Sequence, residues 1–244
     1  QPACALLPRL APYPAFDVRL PQREVFAGTA KANPAKKVWA DRALKNIGPK
    51  LGGFPESELA AIPFYDVQRL ETAAQTRTDK PLGAKSVLAL ADGQFRIIDF
   101  GRNNSGFFGA TLKAGGPARV YFVFDEMLSG DDVSPTRMGC CNVVSYDLAA
   151  AGSYRVESFE PYTLRYLKVI VTGGACEVAD LHFREYLNSA TGRAVFASSD
   201  PTLNRIFEAA RETFKQNAVD VFTDCPSRER AGWLCDSFFI GRVA

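Results

Sequence analysis

Histidine is almost missing from this sequence: His182 is the only one in 244 residues. A Ser-His-Asp triad therefore has a single candidate base, and no nucleophile elbow accompanies it. His182 lies between Leu181 and Phe183 in an alternating stretch, where a lone strand histidine is structural. Cysteine is sparse as well. Cys4, Cys140, Cys141, Cys176, Cys225 and Cys235 are too few for a disulfide-held scaffold. No C-x-x-C spacing occurs, which removes the usual zinc site. Phosphate-binding loops and dinucleotide fingerprints are absent too, so neither metal nor cofactor is expected. No apolar run is long enough to cross a bilayer, so no membrane insertion is expected. Charge is balanced, with Lys+Arg 29 against Asp+Glu 27 and a formal net charge of +2. That leaves no electrostatic footprint for nucleic acid.

What remains is ordinary globular composition, 47% hydrophobic and 23% charged, which excludes disorder for the bulk of the chain. The 18 phenylalanines suit a β-rich core. The N-terminus has neither Met nor a charged-then-apolar leader and reads as a mature or trimmed start. Residues 238–244 stop after an apolar run without a cap, and the expectation is a piece of something longer.

Three stretches differ in pattern. Residues 1–80 read as an irregular N-terminal segment that can belong to the domain after it. Pro2, Pro8, Pro12, Pro14 and Pro21 break long elements. A basic stretch of Lys31, Lys36, Lys37, Arg42, Lys45 and Lys50 surrounds Trp39 and reads as a solvated surface. Turns are expected near 33 and 52. Residues 81–192 read as β. Ser86–Ala91 and Gln94–Phe100 flank Asp92-Gly93, a hairpin signal. Phe107–Leu112 and Ala118–Phe124 flank Gly115-Gly116-Pro117. A polar loop is expected over 129–147, around Cys140-Cys141. Arg165–Thr172 alternates Leu167, Val169 and Val171 against Lys168, and Glu177–Tyr186 alternates again. Short strands with Gly-rich turns predict an antiparallel β-sandwich.

Residues 193–244 change period. Ser199-Asp200-Pro201 is an N-cap with Pro at the first helical position. Leu203, Ile206, Phe207, Ala210 and Phe214 then recur as one apolar stripe, predicting an amphipathic helix to about 218. A second helix is expected to begin near Trp233. So wide a stripe needs a partner. Association with the remainder of a parent chain, or self-association, is the expected way to cover it.

The densest chemistry is the run Asp224-Cys225-Pro226-Ser227-Arg228-Glu229-Arg230-Ala231-Gly232-Trp233-Leu234-Cys235-Asp236. It places three carboxylates, guanidiniums and a Trp around a Pro- and Gly-punctuated loop. Glycoside hydrolysis uses such a set: one carboxyl protonates the leaving oxygen, and a second acts on water or on the anomeric carbon. An indole can stack on a sugar's C–H face. The competing interpretation is a surface salt-bridge loop around a buried Trp.

This run resembles the signature of the bacterial α-L-rhamnosidases and their relatives with an (α/α)6, six-hairpin barrel. Leu234 stands where the family usually has Thr, and Cys235 where it has Gly. Upstream, residues 196–206 resemble the entry into the first barrel helix. Residues 157–161 with 164–169 resemble the strand pair closing the preceding sandwich, and 99–106 that sandwich's opening motif. The resemblance implies a mainly β chain: an antiparallel β-sandwich followed by the first helix or two of an incomplete (α/α)6 barrel. A full barrel needs roughly 200 residues, and 45 follow position 199. It also implies an inverting glycoside hydrolase that removes terminal α-L-rhamnose from glycans or glycosides. Glu229 matches the general acid, Asp224 and Asp236 the carboxylates holding sugar hydroxyls, Arg228 a basic group beside them, and Trp233 a wall of the subsite. The base is a distant Glu from late in the barrel, so this chain alone is expected to be inactive. A carbohydrate is the expected partner, and a periplasmic or extracellular location follows. Two alternatives stand: a non-catalytic carbohydrate-binding sandwich, for which an exposed aromatic platform would speak, and a related barrel acting on another sugar. The acid role carries a condition. Arg228 and Arg230 favour the ionised form of Glu229 unless they point elsewhere, whereas burial and the two Asp residues oppose it.

Overall fold

The computed structural model describes residues 8–9, 11–39 and 62–243. Cys4, Arg42, Lys45, Lys50 and the turn expected near 52 lie outside the described residues. The chain forms two compact units, residues 18–184 and residues 1–17 with 185–244.

Among the described residues the first unit is a single antiparallel sheet system of ten strands. In chain order these are β1 (Val18–Arg19), β2 (Arg23–Ala32), β3 (Leu70–Pro81), β4 (Leu88–Leu90), β5 (Gln94–Ala114), β6 (Ala118–Asp125), β7 (Val143–Leu148), β8 (Gly152–Glu157), β9 (Tyr162–Thr172) and β10 (Cys176–Glu185). The path runs β1-β10-β5-β9-β6-β7, with β2 and β3 added beside β5, β8 on β5 and β4 on β10. β5 ties the layers together. Residues 94–99 pair with β2, and 95–99 with β9, whereas 109–114 pair with β8. The register against β9 slips between Asp99 and Asn104. Gly101 sits there at φ 86, a left-handed conformation glycine adopts without steric cost.

Alternation along these strands builds two cores. Leu112, Val120, Phe122, Leu167, Val169, Val171 and Phe183 fill the sandwich interior and are fully buried. The opposite faces of β5, β6 and β9 send Phe95, Ile97, Tyr121, Val123 and Ile170 into a second layer with Val67 of α1 (Ile62–Gln68) and Val133. Lys168 points into that second layer. Its ammonium binds both Asp132 oxygens at 2.7 and 2.8 Å and lies 4.1 Å from the centre of the Phe95 ring. Burial pushes its pKa below the ordinary lysine value, and Asp132 opposes that shift. Asp99 is fully buried. Arg165, Arg23 and the Gly101 N–H all donate to its carboxylate.

Several expectations are corrected. The part of 1–80 that is described is not irregular, because β2 and β3 are strands of 10 and 12 residues. The Asp92-Gly93 turn is real, with Gln94 N–H donating to Ala91 O at 3.0 Å, but it does not make a hairpin. β4 pairs with β10, and β5 finds its partners elsewhere. The turn at 115–117 likewise leads from β5 to β6, which pairs with β7 and β9. The loop expected over 129–147 ends sooner, since Val143–Leu148 is β7.

In the second unit, Ala15 bridges Leu187, and the helices α2 (Pro201–Asn217) and α3 (Leu234–Val243) follow. α2 begins where its sequence says. The Asp200 carboxylate accepts from Thr202 N–H at 2.7 Å, and Pro201 opens the helix. Asn204 reaches back, accepting from Ser198 N–H and donating to Ser198 O at 2.8 and 2.9 Å. Phe196 stacks on Phe207, yet Leu203 and Ile206 remain 46% and 59% exposed.

Candidate functional site

The segment joining α2 to α3 is anchored before it turns. Thr223 N–H donates to Asn217 O at 2.9 Å, and the Thr223 hydroxyl bonds the Asn217 amide oxygen at 3.1 Å. Asn217 itself donates to Thr213 O one turn back in the helix. The loop therefore leaves a fixed helix end.

Asp224 closes the loop at its base. Its N–H donates to Ala231 O at 3.0 Å, and Ala231 N–H donates to its Oδ1 at 2.9 Å. The Cys225 thiol donates to its other oxygen at 3.2 Å. Burial works to raise the Asp224 pKa, but these donors outweigh it and hold the carboxyl below its ordinary value. Between these ends the chain turns through Pro226 and returns at Arg230, whose φ is 51. The crest of that arc presents Glu229.

Both oxygens of Glu229 are occupied. Arg228 donates to Oε1 at 2.5 Å and Trp233 Nε1–H donates to Oε2 at 2.7 Å. Arg228 thus points at the candidate acid, not at Asp224 or Asp236. Trp233 is 55% exposed, so it is not the buried Trp of the competing interpretation, although the Arg228–Glu229 ion pair fits that interpretation's salt bridge. Asp236 stands in the first turn of α3, where the helix dipole favours a carboxylate. Among the described residues it makes no hydrogen bond or ion pair with Asp224, Glu229, Arg228 or Trp233. The structure therefore joins Glu229, Arg228 and Trp233 directly and Asp224 to the same loop, and leaves Asp236 apart from them. Cys225 was not among the residues singled out by sequence. Nothing in its spacing marks a thiol that contacts both the Asp224 carboxylate and the Glu229 amide.

Residues 191–244 match the family described as the bacterial alpha-L-rhamnosidase 6 hairpin glycosidase domain. A curated α-L-rhamnosidase of Formosa agariphila is 25% identical over 199 residues, 76% of this chain and 20% of its own length. The GH78 family rhamnosidase of Bacillus sp. GL1 is similar in fold, with a TM-score of 0.59 at 23% identity over 87% of this chain and 25% of that one. A Klebsiella oxytoca rhamnosidase solved with rhamnose bound gives a TM-score of 0.54 at 20% identity, over 92% of this chain and 39% of that one. The chain thus spans about a fifth of the curated rhamnosidase and a quarter of the Bacillus one. The mainly β, antiparallel fold expected from sequence stands, and the match over residues 191–244 supports a glycoside hydrolase family. The carbohydrate-binding alternative calls for an exposed aromatic platform on the sandwich unit. Among its described residues the exposed aromatics are Trp39 and Phe159, and Trp39 packs edge-on against Phe64.

Proposed function

We propose that this chain carries the acid-bearing loop of an inverting α-L-rhamnosidase. The observation that supports this most is the 224–236 loop itself, inside the matched segment, with Glu229 at its crest beside Arg228 and Trp233. In this role Glu229 protonates the glycosidic oxygen as the C–O bond breaks. Asp224 and Asp236 accept from sugar hydroxyls, and Trp233 walls the subsite. A second carboxylate, from outside this chain, removes a proton from the attacking water on the opposite face of the ring.

The geometry sets a requirement. As an acid Glu229 must turn an oxygen toward the glycosidic oxygen, and in this structure both of its oxygens face protein donors, Arg228 and Trp233. Arg228 is 47% exposed at its side chain and can turn to solvent or to a bound sugar. In this role a bound sugar takes the place of Arg228 beside Glu229.

The test is hydrolysis of an aryl α-L-rhamnoside by the full-length protein, followed by proton NMR of the first product. The β-anomer of L-rhamnose should appear first and then mutarotate. First release of the α-anomer would refute inversion, and no release of rhamnose would refute the substrate. The 244-residue chain alone is expected to show no turnover, because no residue of it is assigned as the base.

A further inference from the structure

We propose that Cys225 is a positioning residue: its thiol links Asp224 to the backbone of Glu229 and so sets where the Glu229 carboxylate is presented. This rests on the proposed acid role of Glu229. The sulfur works in both directions. Its S–H donates to Asp224 Oδ2 at 3.2 Å, and it accepts the Glu229 N–H at 3.3 Å. A thiol has the one donor and the acceptor capacity that this requires.

The arrangement matters because of what the rest of the loop leaves undone. The Asp224–Ala231 pairing fixes the two ends of the arc. It does not fix the crest, where Glu229 sits. Cys225 stands just inside the base and reaches across the arc to the Glu229 amide, four residues on. The bond is to the backbone of the candidate acid rather than to its carboxylate. It therefore leaves the side chain free to exchange Arg228 for a substrate oxygen while holding the point from which that side chain swings. Serine keeps one donor and one acceptor at this position with a shorter reach, whereas alanine removes both.

The experiment uses the full-length protein in a Trp39→Phe background, so that Trp233 is the indole of this chain that reports. Trp233 donates to Glu229 and senses where it sits. Cys225→Ala is expected to shift Trp233 emission and to lower kcat about tenfold on a rhamnoside with a poor leaving group, the size of one hydrogen bond to a charged group. KM should stay within about twofold, since Asp236 and Trp233 do not touch the thiol and Asp224 keeps its bond from Ala231 N–H. Cys225→Ser should restore most of kcat and the emission. An unchanged emission and kcat in Cys225→Ala would overturn the proposal, as would a serine variant no better than alanine. If the alanine variant does not fold, the serine variant decides: near-parental emission supports the positioning role and a shifted emission contradicts it. If the parental protein hydrolyses no rhamnoside, the functional reading fails, and the emission of the two variants still decides the place of Cys225.

Discussion

Replacing Asp99 by Asn should destabilise the sandwich unit by an amount that depends on pH. The side chain is 1% exposed, and its oxygens receive Arg165 at 2.9 and 3.0 Å, Arg23 at 3.1 and 3.3 Å and Gly101 N–H at 2.7 Å. Asn keeps the shape but loses the charge, and its NH2 faces guanidinium donors that it cannot accept from. Hydrogen bonds to charged groups contribute about 1.5–3 kcal/mol each. Arg23 and Arg165 are 46% and 34% exposed, so water recovers part of what they lose. A net cost of about 2–4 kcal/mol follows, or a fall in Tm of roughly 5–15 °C for a unit of this size.

The pH dependence gives the sharper check. Burial alone would raise the Asp99 pKa, but Arg165, Gly101 and Arg23 more than offset it and hold it below its ordinary 3.8. A depressed folded-state value stabilises fully above the unfolded pKa, about 3.9, and the gain fades as pH falls through the folded value. Urea unfolding of both forms, read by near-UV circular dichroism, should show a constant gap from pH 5 to 7 that narrows below about pH 4. Other carboxylates titrate equally in both forms and cancel in the difference. A gap under about 0.5 kcal/mol at pH 7, or one that does not change down to pH 2.5, would refute the reasoning.

Three further outcomes are expected. Lys168→Met should leave stability within about 1 kcal/mol, because a buried ion pair gives up its desolvation cost while Asp132, 41% exposed, is rehydrated; a loss above about 3 kcal/mol in urea unfolding would contradict this. Asp200→Ala should cost about 1 kcal/mol through the lost cap on Thr202, read as faster amide exchange in the first turn of α2; unchanged exchange there would count against it. The 244-residue chain should self-associate in sedimentation velocity, because Leu203 and Ile206 on α2 and Phe238 and Phe239 on α3 are 46–64% exposed; a monomer at high concentration would show that these faces need no cover.

What could be foreseen from sequence depended on how local the cause was. α2 was predictable because Asp200, Pro201 and a 3.6-residue stripe lie within one element. β9 showed in the alternation of Leu167, Val169 and Val171. That Lys168 faces a second buried layer did not show, because α1 and the 129–133 loop supply the covering groups from far along the chain. β3 was invisible for a different reason. Most of its residues face solvent, so Thr72-Ala73-Ala74-Gln75-Thr76-Arg77 carries no apolar alternation to find. The Asp92-Gly93 turn was visible, but the partners of the strands it joins are fixed by distant pairings. At the loop, the motif marked Asp224, Glu229 and Trp233 through a family resemblance. Which group Arg228 would face, and that a thiol would link Asp224 to Glu229, depend on backbone geometry that composition does not carry.

In the proposed role Glu229 donates a proton to the leaving oxygen. Glu229→Gln in the full-length protein, compared with wild type on two rhamnosides, tests it most directly. Protonation matters most for a poor leaving group, so kcat/KM on an alkyl rhamnoside should fall by about 10²–10⁴-fold, and on a dinitrophenyl rhamnoside far less. Equal losses on the two substrates would contradict the acid role of Glu229.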